Sequence, residues 1–277
     1  MNVKKYNVHI SALLAICVLG NGCILLPFLN SAGPILTFLL CGAAVLITTL
    51  VTLPVINRAF SQKGILFYVL SVIIIAISVY GVITTVNDYL SFLNTLDIAK
   101  AAAILLLILL LWALCFCSSS AFLKFSLLFG VITAALIVLL FIMSAGIYDI
   151  KNINLTPIKL DFMAAADAFL KCFNATVPSL CFAVLSNHKA NAKNTLSGVV
   201  IGLVLSLLCL LQSLLVLGTT AAGQSLPYLT AVSAYSSGQL YIRQDGFVWF
   251  IFFSTATIKT ALCLKAVWVI IKRLFDN

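Results

Sequence analysis

Residues 125–148 of this 277-residue chain carry no charge at all, and comparable apolar runs recur along most of its length. A run of about 20 apolar residues is long enough to cross the hydrocarbon core of a bilayer as a helix. The composition agrees, at 63% hydrophobic and 8% charged, with a mean hydropathy of +1.21. Soluble domains do not have this balance, so the chain reads as an all-α polytopic membrane protein. About eight spans meet the length criterion: residues 9–30, 34–56, 64–89, 101–117, 121–144, 162–185, 196–217 and 247–271. Pro34 suits the first turn of the second.

The net charge of +9 does not point to nucleic acid, because the bases lie between apolar runs rather than along one amphipathic face. With the N-terminus inside, the cytoplasmic loops and ends carry Lys4, Lys5, Arg58, Lys63, Lys124, Lys189, Lys193, Lys272 and Arg273. The opposite side carries Lys100, Lys151, Lys159 and Arg243, offset by Asp88, Asp97, Asp149, Asp161 and Asp245. The excess of bases follows the positive-inside rule, and an even number of spans keeps both termini cytoplasmic. Lys4 and Lys5 precede an apolar run as in a signal peptide. No A-x-A-like cleavage site follows, and the first span is expected to be retained.

Two spans contain helix breakers. Val18 to Pro27 holds Gly20, Asn21, Gly22 and Pro27 inside the first span, and Asn174 to Pro178 interrupts the sixth. In lipid a freed backbone group has no solvent partner, so a break is tolerated only against protein or a wet cavity. Unrelated kinks would explain either one, since glycine is common in membrane helices. The two breaks lie five spans apart, as at the midplane site of an inverted-repeat transporter. Two linkers exceed hairpin length. Residues 148–161 are polar, whereas residues 218–246 are semi-apolar and are expected to pack as an interfacial or re-entrant segment.

The stretch Leu19-Gly20-Asn21-Gly22-Cys23-Ile24-Leu25-Leu26-Pro27 resembles the G-x-x-x-L-x-P first-helix signature of the endospore germination permeases. These are the membrane B subunits of germinant receptors, in the amino acid–polyamine–organocation superfamily. Gly238 to Asp245 is similar to that family's G-x-F-I-E-R-x-D segment before the eighth helix, with Ile242 in place of the glutamate. Phe252, Ile258 and Lys259 continue the likeness, and Gly218 and Pro227-Tyr228 also fit. The resemblance implies a leucine-transporter-type bundle of two inverted five-helix repeats. Residues 1–147 would form the first and residues 148–277 an incomplete second, within one integrated membrane domain. The usual ninth and tenth helices have no counterpart here, as in a short natural variant or a truncated chain. The resemblance also implies a small amino acid ligand, a larger membrane subunit and a lipoprotein as partners, and the inner membrane of the spore. The rival readings are a plain secondary transporter for an amino acid or organic cation, and a structural membrane subunit with a vestigial pocket.

No enzyme constellation, cofactor motif or metal-ligand spacing is visible. His9 and His188 lie at span ends, and the P-loop, Rossmann and G-x-S-x-G patterns are missing. The nine cysteines all sit in apolar segments and read as small buried residues. Gly20, Asn21 and Gly22 are expected to offer backbone N–H groups to the ligand carboxylate. Tyr80, Phe169 and Phe173 are expected to wall the side-chain pocket, by the resemblance. Asp167 and Lys171 stand one turn apart and can pair. Lys265, near the cytoplasmic end of its span, is expected to snorkel. Lys259 is near the middle of its span, where an isolated charge costs at least ~2.5–3.5 kcal/mol. In sodium-coupled members of this fold a cation bridges the first and eighth helices. Ser254, Thr255 and Thr257 offer hydroxyls at that level, and the Lys259 amine is expected to replace the ion, facing carbonyls of Gly20 to Gly22. The rival roles for Lys259 are structural, or lining a water path.

Overall fold

The computed structural model describes residues 3–22, 34–62, 64–95, 100–153, 174–185, 192–224, 226–239 and 245–275. They form nine α-helices joined in places by short 3-10 turns: α1 Val3–Gly22, α2 Pro34–Gln62, α3 Ile65–Thr95, α4 Lys100–Phe116, α5 Ser119–Met143, α6 Val177–Leu185, α7 Ala192–Leu217, α8 Pro227–Gln239 and α9 Asp245–Phe275. Five of them, α2, α3, α5, α7 and α9, are long and apolar enough to cross a membrane. This is an all-α membrane protein whose outer faces contact the lipid bilayer. The helices α2, α3 and α9 overrun the apolar spans read from the sequence. Polar residues there continue the intrahelical ladder once past the hydrocarbon. Pro54 lies inside α2, a position membrane helices tolerate when neighbours satisfy the freed carbonyl.

The bundle is organised around α9. In its most apolar stretch 78% of the residues are buried, against 22–44% in the other four long helices. It packs on α3, α6, α1, α4 and α5. Phe92 of α3 stacks on Phe252 of α9 with ring centres 4.2 Å apart. Two basic side chains of α9 close the ends of two short helices. Lys265 Nζ donates to the carbonyls of Cys117 at 2.7 Å and Cys115 at 3.2 Å, at the end of α4. Arg273 Nη2 donates to the Val184 carbonyl of α6 at 3.3 Å. The last carbonyls of a helix lack intrahelical partners and carry the negative end of its dipole, so cations belong there. Lys265 is therefore a buried cap rather than a snorkelling residue. Arg273, counted among the cytoplasmic bases, is engaged in the same way.

The second interior element is α1, held between α7 and α5. Gly198 and Gly202 of α7 make this possible. A Cβ at Gly198 would lie 2.7 Å from the Ser11 carbonyl oxygen, and one at Gly202 would lie 2.7 Å from that of Ala15. This is the small-xxx-small approach by which membrane helices gain van der Waals contact. Ser11 Oγ adds a hydrogen bond to the Asn194 carbonyl at 3.0 Å. At the far end of α7, Gly218 takes φ +57°, the left-handed conformation that ends a helix cheaply only with glycine. The semi-apolar linker after it folds back as a 3-10 turn and α8, with Tyr228 and Val232 buried.

Candidate functional site

Two large apolar cores and a smaller third share the bundle, and a belt of polar residues lies between the two large ones. Along α9 the first core takes Val248, Ile251 and Phe252, the smaller third takes Phe253 and Ala256, and the second takes Ile258, Ala261, Leu262, Cys263, Ala266 and Ile270. Ser254, Thr255 and Thr257 come between the two large cores and Lys259 directly follows Ile258, all four buried. Along α3 the first core takes Phe92 and the second Phe67 and Ile74, with Ser78, Thr85 and Asp88 between. Along α5, Thr133 stands between Leu123 and Ile137 in the same way. The belt continues on α6, which begins at Val177 after a turn over Asn174–Thr176.

Hydrogen bonds tie the belt across helices. Thr133 and Ser254 hydroxyls are 2.9 Å apart, joining α5 to α9. Asn174 Nδ2 donates to Thr84 Oγ1 at 2.9 Å, joining the turn before α6 to α3. On α9, Ser254, Thr255 and Thr257 donate to the carbonyls of Ile251, Phe252 and Phe253 at 3.0, 3.0 and 2.6 Å. A hydroxyl that donates to its own helix keeps its oxygen lone pairs as acceptors. The interior of α9 is thus acceptor-rich, which suits a cation. Lys259 supplies one. Its side chain is 1% exposed, and Cys263, Cys17, Asp88 and Cys181 all lie within electrostatic reach of it.

The structure treats the residues expected at the site unequally. Lys259 lies at its centre. α1 stays helical through Gly22, so Gly20, Asn21 and Gly22 form its last turn. N–H groups there belong to the helical ladder, and it is carbonyls that a last turn leaves over. These three residues therefore suit a cation, not the carboxylate assigned to them. Among the described residues α6 starts in the belt, and the positive end of its dipole favours an anion, although Pro178 has no N–H and the Ser179 and Leu180 N–H groups donate to the Thr176 carbonyl. Tyr80 lies on the outer face of α3, 59% exposed, with Gly81 and Thr85 turned inward instead. Phe169, Phe173, Asp167 and Lys171 lie outside the described residues.

Two features of the site escape a linear reading. Asp88 stands at the outer end of the third apolar run, which is read to stop at residue 89, but α3 continues about two turns beyond it. The apolar residues Tyr89, Leu90, Phe92 and Leu93 were the available signal. The three thiols near Lys259 come from three helices, and nothing in their spacing along the chain shows that they meet. No family model matches the chain, and no curated protein or solved structure does either.

Proposed function

We propose that this protein is an amino-acid-binding, permease-type membrane subunit of the kind found in spore germinant receptors, with its ligand taken at the polar belt. The observation that carries the reading is a fully buried lysine on the most enclosed of the five long helices, at a level where α3 and α5 also carry buried polar groups. An intramembrane charge is costly and is kept where it serves a binding or transport site. The arrangement offers opposite poles to a zwitterion. The start of α6 and Lys259 suit a carboxylate, and the last turn of α1 and the hydroxyls of α9 suit an ammonium. In this reading the bundle is of the leucine-transporter type, with repeats over residues 1–147 and 148–277. Both termini are cytoplasmic, and the site is the inner membrane of the spore. The contact of α1 with α9 and the start of α6 inside the sixth span support it.

The test is binding of a panel of labelled amino acids to the purified full chain in proteoliposomes, with sodium or with choline as the cation. Saturable binding of at least one amino acid is expected without sodium, because the Lys259 ammonium occupies the place of the ion. Lys259→Ala should lose that binding and recover part of it when sodium is added. Sodium-dependent binding by the wild type would refute the substitution. Absence of binding to the whole panel would overturn the amino-acid reading. The receptor part is tested by isolating the protein from spores, where a larger membrane subunit and a lipoprotein should come with it.

A further inference from the structure

One cluster in the second core, beside the belt, has a chemistry that ligand binding does not use. Cys181 of α6 and Cys263 of α9 face each other with their sulfurs 3.9 Å apart, and both are fully buried. Ser78 Oγ of α3 lies 3.2 Å from Cys181 Sγ. The backbone of α3 closes over the pair, since a Cβ at Gly81 would come within 3.7 Å of Cys263 Sγ. Lys259 stands one helical turn from Cys263, and Cys17 of α1 is within electrostatic reach of both thiols. Among the described residues no three or more His, Cys, Asp or Glu side chains are grouped to hold a metal ion. Thiol chemistry between two sulfurs is what this geometry supports.

We infer that Cys181 and Cys263 form an oxidative modification site at which a hydroperoxide converts the two thiols into a disulfide, fastening α6 to α9. One sulfur attacks a peroxide oxygen, the O–O bond breaks, and the sulfur becomes a sulfenic acid as the leaving oxygen takes up a proton. The second sulfur then displaces the sulfenic oxygen as water and the S–S bond forms. In sum two thiols lose two hydrogens and two electrons, and one hydrogen peroxide becomes two waters. A disulfide needs its sulfurs about 2.05 Å apart, so each must swing by about 1 Å. The Lys259 ammonium faces the charge that forms on Cys263 as it attacks. Hydrogen peroxide is small and uncharged, so it reaches a site buried in a membrane bundle. The link would join the segment that opens at the Asn174–Thr176 turn to the central helix and hold the two at one separation.

The experiment is peptide mapping of the full chain in proteoliposomes after hydrogen peroxide treatment, with remaining thiols alkylated on denaturation and no reductant present. The expected product is a peptide pair joined through Cys181 and Cys263, two hydrogens lighter than the separate peptides. It should vanish after dithiothreitol and be missing from Cys181→Ser and Cys263→Ser. Cys209→Ser, altered away from the pair, should give as much as the wild type. Recovery of both cysteines as alkylated thiols, under peroxide that oxidises a surface cysteine on a control membrane protein, would overturn the proposal. So would a disulfide joining either one to Cys17, or sulfinic acid on one sulfur without a link. This outcome does not depend on whether the protein binds an amino acid, so the two readings fail separately.

Discussion

The helices α3 and α9 each run for 31 residues, yet they differ in almost every other respect. α3 carries a single charge, Asp88, and its apolar side chains point outward: Ile65, Val69, Val72 and Ile83 are all half exposed or more. Only 28% of its most apolar stretch is buried, against 78% for α9. α9 carries Lys259, Lys265, Lys272, Arg273 and a run of hydroxyls. The more enclosed helix is the more polar one, the reverse of a water-soluble protein. Lipid tails are as apolar as leucine, so there is no hydrophobic gain in hiding leucine from them. What the interior gains is close packing, and partners for the polar groups that lipid cannot solvate.

If this contrast is right, equal substitutions inside and outside should differ. The largest effect is expected where the interior leaves no room. Gly202→Leu drives a side chain into the backbone of α1 and should exceed the ~1–3 kcal/mol of ordinary overpacking, by loss of stable assembly in detergent. Gly64→Leu, with nothing within 4 Å, should be tolerated. Next comes cavity formation. Leu262→Ala, at a fully buried site, should cost about 1–3 kcal/mol in an unfolding titration in micelles. The transfer share of the usual 2–5 kcal/mol is largely absent when lipid is the alternative, and the cavity share remains. Ile73→Ala, 44% exposed on α3, should stay within about 0.5 kcal/mol. Equal losses at the two sites would break the comparison.

Smaller effects sharpen it. Lys265→Met removes the cap on α4 and should lower stability by about 1 kcal/mol, with amide exchange rising first at Cys115 to Ser119. Lys124→Met, exposed on α5, should leave both measurements unchanged. The smallest expected change is Thr133→Val, which breaks one hydrogen bond between α5 and α9. Interhelical bonds in membranes average about 0.6 kcal/mol, so a loss of more than ~1.7 kcal/mol would mean the belt acts as a cooperative network.

The class of the protein was legible from apolar run length alone, because a bilayer imposes a single dimension on every helix that crosses it. The five long helices fall on apolar runs picked out by the same rule, with ends misplaced where polar residues prolong α2, α3 and α9 beyond the hydrocarbon. The depth of Lys259 in its span was also legible, and the side chain is buried in the bundle. The sequence could not say which span would be central, because apolar content does not separate lipid-facing from protein-facing helices. Three-dimensional packing decided that Gly198 and Gly202 receive α1 and that Lys265 and Arg273 of α9 cap two other helices. It also decided that Asp88, Cys17, Cys181 and Cys263 gather around one lysine. Apart from Lys259 and Cys263, which are one helical turn apart, these contacts join residues far apart in the chain, and whether two such side chains meet depends on helix rotation and depth. Local composition does not encode either.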